Sequence, residues 1–132
     1  MRRALLVVTV FLILIVLMAA CGGGGDGGSP DQVAKQWLEA LAKGDKNAVK
    51  DLTCIAQQES VAGTTGFLAG LGEEMGLDVS ALSFTTTEQS EDKASVQVTG
   101  KIRMTLLGVE QEEEIDEAMP MVKEDGKWKV CH

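Results

Sequence analysis

Residues 93–106 have the sequence KASVQVTGKIRMTL, in which apolar and polar side chains alternate. The apolar positions are Ala94, Val96, Val98, Ile102, Met104 and Leu106. Because successive side chains of an extended chain point to opposite faces, this alternation places the apolar set on one face. The stretch therefore predicts a long antiparallel strand with one face buried and the other in water.

Turn signals on both sides of this strand predict further strands. Residues 107–108 (Leu-Gly) are a predicted turn into a strand over about 109–123, and residues 125–126 (Asp-Gly) are a hairpin signal before a short strand over 128–131. Upstream, residues 79–88 are rich in strand-forming side chains. The C-terminal half is thus predicted to form four antiparallel strands.

An acidic run occupies the predicted third strand. Its members are Glu110, Glu112, Glu113, Glu114, Asp116 and Glu117. If residues 107–108 form a two-residue turn, Arg103 faces Glu112 and Lys101 faces Glu114 across the hairpin. Opposite charges at facing positions predict cross-strand ion pairs on a solvated face.

The same register places Glu113 and Glu117 on the inner, apolar face of the sheet. Their neighbours on that face are Val109, Ile115, Met119 and Met121. Two inward carboxylates on an otherwise apolar row either line a cavity or indicate that the register is wrong, and a bulge in the strand would turn them outward into the solvated face. A calcium site is a weaker alternative, because the run lacks an Asp-x-Asp-x-Asp-Gly loop and a strand points alternate carboxylates apart.

The residues between the glycine-rich segment and the strands have a helical period. A first helix opens at Pro30-Asp31, and its apolar face is Val33, Ala34, Trp37, Leu38 and Leu41. Residues 43–45 (Lys-Gly-Asp) predict a helix stop and a new N-cap. A second, shorter helix carries Ala48, Val49, Leu52, Ile55 and Ala56, and a glycine-rich third helix is predicted from Thr64 or Thr65 to Met75. Helices followed by antiparallel strands predict an α+β fold with the helices on one face of the sheet.

The N-terminus is typical of an exported protein. Residues 1–20 comprise the basic Arg2-Arg3, an apolar run over Ala4–Met18 and two small residues before Cys21. The sequence Leu-Met-Ala-Ala-Cys over residues 17–21 resembles the lipobox of bacterial lipoproteins, with Met18 where leucine is usual. That resemblance implies cleavage before Cys21 and lipidation of its thiol. An uncleaved signal anchor over Ala4–Ala20 is the alternative.

Residues 21–29 then form a lipidated cysteine and a glycine-rich tether, and residues 30–132 form the folded domain. The sequence Gly-Gly-Gly-Gly-Asp-Gly-Gly-Ser over 22–29 is predicted to stay flexible, because glycine loses the most entropy on ordering. A phosphate-binding loop is disfavoured, since no Lys-Ser or Lys-Thr follows and no strand precedes.

The charge and composition argue against two classes of function. The formal net charge is −8, and loss of Arg2 and Arg3 with the leader changes it to −10. Such a chain repels nucleic acid and anionic lipid, so we expect no nucleic-acid partner and a membrane contact that is covalent or apolar. Tyrosine is absent and the single histidine is His132, which leaves few candidates for acid–base catalysis and predicts no metal site.

Two segments carry a resemblance to a known fold family. Residues 33–45 (VAKQWLEALAKGD) with 48–52 (AVKDL) resemble the opening of nuclear transport factor 2-like and cystatin-like domains, and residues 122–131 (VKEDGKWKVC) resemble their last hairpin. Small bacterial lipoproteins with a lumazine-binding-like domain of unknown function share this layout. The resemblance covers roughly residues 31–132. It implies a cone-shaped, curved sheet with a pocket between sheet and helices. Trp37 and Trp128 are predicted to pack in the core, with contact to a ligand at the pocket rim as the alternative. Together with Trp37, the inner-face Glu113 and Glu117 are the candidate pocket residues.

The cysteines predict a disulfide within the resembled layout. If Cys21 is lipidated, Cys54 and Cys131 remain, and an exported domain folds where oxidation occurs. The helices of the resembled fold cover the sheet, so the end of the second helix and the end of the last strand can meet. Two buried free thiols are the alternative.

The function expected from these observations is that of a cell-envelope lipoprotein. It would be anchored in the cell membrane or outer membrane, face the extracytoplasmic space, and bind a small apolar ligand or an envelope protein without catalysis or a cofactor. An isomerase- or hydratase-type enzyme is the main alternative, but the only histidine is terminal and Arg103 is predicted to face outward. A third hypothesis is a purely structural envelope module, because this scaffold hosts enzymes, binding modules and structural modules.

Overall fold

A computed structural model of the chain describes residues 28–61, 63 and 74–132. In that part the elements are α1 (Pro30–Lys43), α2 (Lys46–Asp51), a 3-10 helix (Ile55–Gln57), β1 (Leu82–Gln89), β2 (Lys93–Leu106), β3 (Val109–Glu124) and β4 (Lys127–Val130). The four strands form one antiparallel sheet in the order β1-β2-β3-β4. This is the predicted α+β arrangement of helices followed by an antiparallel sheet.

The two ends of α1 follow from local sequence. At its start, the Gln32 side chain accepts a hydrogen bond from the backbone N–H of Ser29 at 3.3 Å, and Pro30 occupies the first turn, where no N–H is needed. At its end, Gly44 has a φ of 72°, which closes the helix in the left-handed region. Asp45 then caps α2, because its carboxylate accepts from the Ala48 N–H at 3.1 Å. The stop predicted at residues 43–45 is confirmed.

The second helix is shorter than predicted. It ends at Asp51, and Ile55 and Ala56 belong to the separate 3-10 helix. The reason is a long-range interaction: the Val130 N–H donates to the Leu52 carbonyl at 2.8 Å, and the Cys54 N–H donates to the Val130 carbonyl at 2.9 Å. These bonds hold residues 52–54 extended along the free edge of β4. The predicted third helix lies mostly outside the described residues.

The first strand begins later than predicted, at Leu82 rather than at residue 79. A turn occupies the intervening residues, because the Asp78 carboxylate accepts a hydrogen bond from the Ser80 N–H at 2.9 Å. Hydrogen bonds from the Ser80 side chain and from its backbone N–H hold the pKa of Asp78 below its usual range. The hydroxyl-rich β1 also contains a register shift between Thr86 and Glu88.

The long β2–β3 hairpin has the register that the sequence predicts. Pairing runs without a shift from Leu106 opposite Val109 to Lys93 opposite Val122. Both turn residues have positive φ, at 51° for Leu107 and 79° for Gly108. The bulge considered for β3 is therefore absent from its pairing with β2.

Gly100 is a close-approach point within β2. It pairs with Leu82 at the start of β1 and has a φ of 126°. A Cβ atom at this position would lie 2.5 Å from the carbonyl oxygen of Ala81. The absence of a side chain is therefore what allows the chain to enter β1 so close to β2.

The core lies between α1 and the sheet, and α1 contacts β1, β2 and β4. Its buried apolar residues are Val33, Ala34, Trp37, Ala40, Val49, Val96, Val98, Met119, Met121, Trp128 and Val130. The β2–β3 hairpin extends beyond this core, since Leu106 and Val109, predicted on the inner face, are exposed. Within residues 28–61 and 74–132, no helix combines the length and the apolarity needed to cross a membrane.

Candidate functional site

Trp37, one of the three candidate pocket residues, is a buried residue of the core. Its indole Nε1–H donates to the Thr53 hydroxyl oxygen at 3.0 Å, and that hydroxyl donates to the Val49 carbonyl at 2.6 Å. Thr53 is 1% exposed and is the only buried polar side chain in the part of the chain that the structure describes. The indole N–H of Trp37 and the hydroxyl of Thr53 therefore both have hydrogen-bond partners.

Glu113 and Glu117 lie on the inner face of β3, opposite Ile102 and Val98, as the register predicts. Both glutamates are exposed, whereas Met119, further along the same face, is buried. The inner face thus becomes open to water toward the turn of the hairpin. The structure does not bring Trp37 and the two glutamates into one enclosed pocket.

The cysteines lie together at the other end of the sheet. Cys54 and Cys131 form a disulfide with their Cα atoms 5.3 Å apart, so the predicted pairing is present in the structure. Beside it, the Gln57 side-chain amide accepts from the His132 N–H at 2.8 Å and donates to the His132 carbonyl. The Glu124 carboxylate accepts from the Ile55 N–H at 3.0 Å. The contacts of Gln57 and Glu124 were not predicted, because no local pattern indicates contacts this distant along the chain.

The outer face of the β2–β3 hairpin carries a small charge network. Lys101 Nζ lies 2.7 Å from Glu112 Oε1, and Arg103 Nε lies 3.3 Å from Glu112 Oε2. Lys101 is directly opposite Glu114, as predicted, but its ammonium group binds the diagonal neighbour Glu112 instead. The hydrogen bond from Lys101 lowers the pKa of Glu112 and raises the pKa of Lys101.

This network predicts a local pH dependence. Because the pKa of Glu112 is lower in the folded than in the unfolded protein, its contribution to stability is present above the unfolded pKa and is lost as the pH falls through the folded pKa. In a carboxyl NMR titration, we expect the pKa of Glu112 to lie below the usual range of a glutamate and to shift upward in Lys101→Met. The matched variant Lys127→Met, in the other hairpin, should leave Glu112 unchanged. A Glu112 midpoint that is insensitive to Lys101→Met would contradict the network.

A cleft lies at the end of the strands away from the hairpin turn. It encloses about 550 Å³ and is lined by Glu88, Gln89, Ser90, Lys93, Ala94, Ser95, Pro120, Met121 and Val122. None of the sequence-predicted site residues lines it. Among residues 28–61, 63 and 74–132, no three His, Cys, Asp or Glu side chains are grouped in a way that could hold a metal ion.

Comparison with known proteins identifies the family. The family model for the C-terminal domain of the anti-sigma-I factor RsgI9 matches residues 32–132. The chain belongs to this family. No curated protein matches the chain.

Solved structures place the domain in the NTF2-like fold. A Campylobacter jejuni protein named as an NTF2-like transpeptidase has a TM-score of 0.55 and 17% identity, over 80% of this chain and 99% of its own. A SEC-C motif protein from Rhodopseudomonas palustris has a TM-score of 0.58 and 18% identity, over 79% and 76%. A Xanthomonas campestris protein named as a calcium/calmodulin-dependent protein kinase II association domain has a TM-score of 0.55 and 17% identity, over 73% of this chain and 76% of its own. At these identities the likeness concerns the fold alone.

Proposed function

We propose that this protein is a lipid-anchored envelope protein whose NTF2-like domain binds a protein partner outside the cytoplasm and catalyses no reaction. The proposal that the domain catalyses no reaction rests on the composition of the core. In the described residues its only buried polar side chain is Thr53, which is fully engaged with Trp37 and Val49. An isomerase or hydratase on this scaffold would need a buried acid or base beside a substrate.

The anchoring part of the proposal is supported by the leader. Residues 17–21 end in Ala-Ala-Cys, and the tether that follows separates Cys21 from α1, which begins at Pro30. The Cys54–Cys131 disulfide fits the same location, because disulfides persist in oxidising compartments.

The family supports a protein partner. An anti-sigma factor is named for its effect on a sigma factor, which acts with RNA polymerase in the cytoplasm. A domain exported behind a signal peptide is on the other side of the membrane from that partner. We therefore favour an envelope protein as the partner of this domain, and a sigma factor remains the partner only if the domain faces the cytoplasm.

The experiment combines lipid labelling with accessibility. In a bacterial host given labelled palmitate, the wild type should be labelled and Cys21→Ala should not. Protease added to intact spheroplasts should digest the domain of the wild type, while a cytoplasmic marker stays intact. An unlabelled wild type that still sediments with membranes would indicate a signal anchor, and a domain protected from protease would favour the cytoplasmic partner.

A further inference from the structure

The turn of the β2–β3 hairpin exposes a cluster of apolar side chains. Among the described residues, the exposed large apolar side chains are Ile55, Leu106, Leu107 and Val109. Three of these four lie side by side at this turn, where Leu106 pairs with Val109 and Leu107 is 96% exposed. We call Leu106, Leu107 and Val109 the hairpin tip. Apolar side chains clustered on an exposed projection are typical of an interaction surface.

The backbone at Leu107 strengthens this interpretation, because the chain contains a matched turn for comparison. The β3–β4 turn has Asp125 at a φ of 51° followed by Gly126 at 74°, and the β2–β3 turn has Leu107 at 51° followed by Gly108 at 79°. Aspartate and asparagine tolerate this left-handed position, whereas leucine gains nothing from it locally. Leu107 is strained and nearly fully exposed, and the structure shows no role for it in folding.

The charges around the hairpin tip indicate the chemistry of its partner. Residues 101–114 carry four carboxylates and two cations. Both cations, Lys101 and Arg103, bind the same carboxylate, Glu112. Glu110 and Glu113 lie opposite the uncharged Thr105 and Ile102. The surface next to the tip is therefore negative, which repels an anionic membrane and attracts a surface rich in Lys and Arg.

We propose that the hairpin tip is the docking surface for a protein partner that offers an apolar pocket rimmed by lysine or arginine side chains. This inference rests on the proposed function, in which the domain acts by binding a protein. Leu107 enters the pocket, and Glu110 and Glu113 face its basic rim. An exposed apolar anchor surrounded by complementary charge is the usual arrangement of an interface hot spot.

The experiment uses the full, lipid-anchored chain in its host membrane, with the photo-cross-linking amino acid p-benzoylphenylalanine at Gln111, an exposed residue beside the tip. The same cross-linker at Lys127, in the other hairpin, is the control. We expect an adduct from Gln111 and not from Lys127, mapped by mass spectrometry to a partner segment in which apolar side chains adjoin Lys or Arg.

Three variants test the chemistry of the contact. Leu107→Asn suits the turn, so the melting temperature should stay the same or rise, while the adduct should fall about tenfold or more. The combination Glu110→Lys and Glu113→Lys should also reduce it, with an effect that weakens at high salt. Adding Asp125→Leu to Leu107→Asn moves the leucine to the matched turn and should not restore the adduct.

Several results would overturn the inference. An adduct that persists in Leu107→Asn would mean that the leucine is not the anchor. An adduct to lipid, or to a second copy of this chain, would replace the proposed partner. Absence of a Gln111 adduct in a protein that is lipidated and protease-accessible would reject the tip while leaving the anchoring intact. Failure of lipidation or accessibility would instead reject the proposed function.

Discussion

Removal of the Cys54–Cys131 disulfide is expected to lower the free energy of unfolding by about 2–4 kcal/mol. The bond joins residues 77 positions apart, and the chain-entropy model gives about 4.5 kcal/mol for such a loop as an upper value. The loss is large relative to the roughly 5–15 kcal/mol that stabilises a domain of this size. The Cys54→Ala, Cys131→Ala double variant, made in a chain that begins at Gly22, should therefore unfold at much lower urea than the parent.

The expected effect has a signature in the unfolded state as well. Without the cross-link the unfolded chain expands, so the denaturant m-value should rise while the midpoint falls. Gln57→Ala is the matched control, because it removes the hydrogen bonds to His132 at the same end of the domain and leaves the disulfide in place. A double variant that unfolds at the parent midpoint would show that the bond adds no stability.

Substitution of Gly100 by alanine is the second change with a large expected effect. Its Cβ would lie 2.5 Å from the Ala81 carbonyl oxygen, at a φ of 126° that L-residues rarely adopt. The backbone of β1 would have to move, and we expect a loss of about 2–3 kcal/mol from the steric and dihedral terms together. The matched control is Gly63→Ala, where a Cβ meets no atom within 4 Å. Alanine at that helical position should leave the free energy of unfolding unchanged or raise it by up to about 1 kcal/mol.

Both variants would be compared by urea unfolding followed by tryptophan fluorescence, since Trp37 and Trp128 are buried in the core. Equal stabilities for Gly100→Ala and Gly63→Ala would contradict the close approach of β1 to β2. A loss confined to Gly100→Ala would locate the constraint at the Leu82 pairing.

The β2–β3 hairpin shows why part of the fold can be predicted from the sequence. A two-residue turn at Leu107-Gly108 fixes which residues face each other, and the alternation in 93–106 fixes which face is buried. Both signals are local and agree, so the predicted pairing of Arg103 with Glu112 matches the structure. Lys101 binds Glu112 rather than the directly opposite Glu114. That preference depends on the reach of the lysine side chain, which cannot be predicted from the strand register.

The errors have a long-range origin. The helical period continues through Ile55, but α2 ends at Asp51 because residues 52–54 pair with Val130, near the other end of the chain. The prediction of the candidate pocket failed for a similar reason. The pattern assigned Trp37 and the inner-face glutamates correctly to the same side of the sheet, but it contained nothing on how far the hairpin extends beyond α1. The exposure of Leu106 and Val109, which the pattern assigned to the inner face, was missed for the same reason.

The disulfide also determines how the domain would carry a mechanical load. Tension applied between the tether and the hairpin tip reaches Cys54 along a single chain and then divides. One path follows the backbone through β1 and β2, and the other crosses to Cys131 and returns through β4 and β3. The two paths form a closed covalent ring that meets again at Leu107-Gly108. A pull on that ring is shared by two strands in parallel, and reduction of one sulfur–sulfur bond would leave the whole load on one of them.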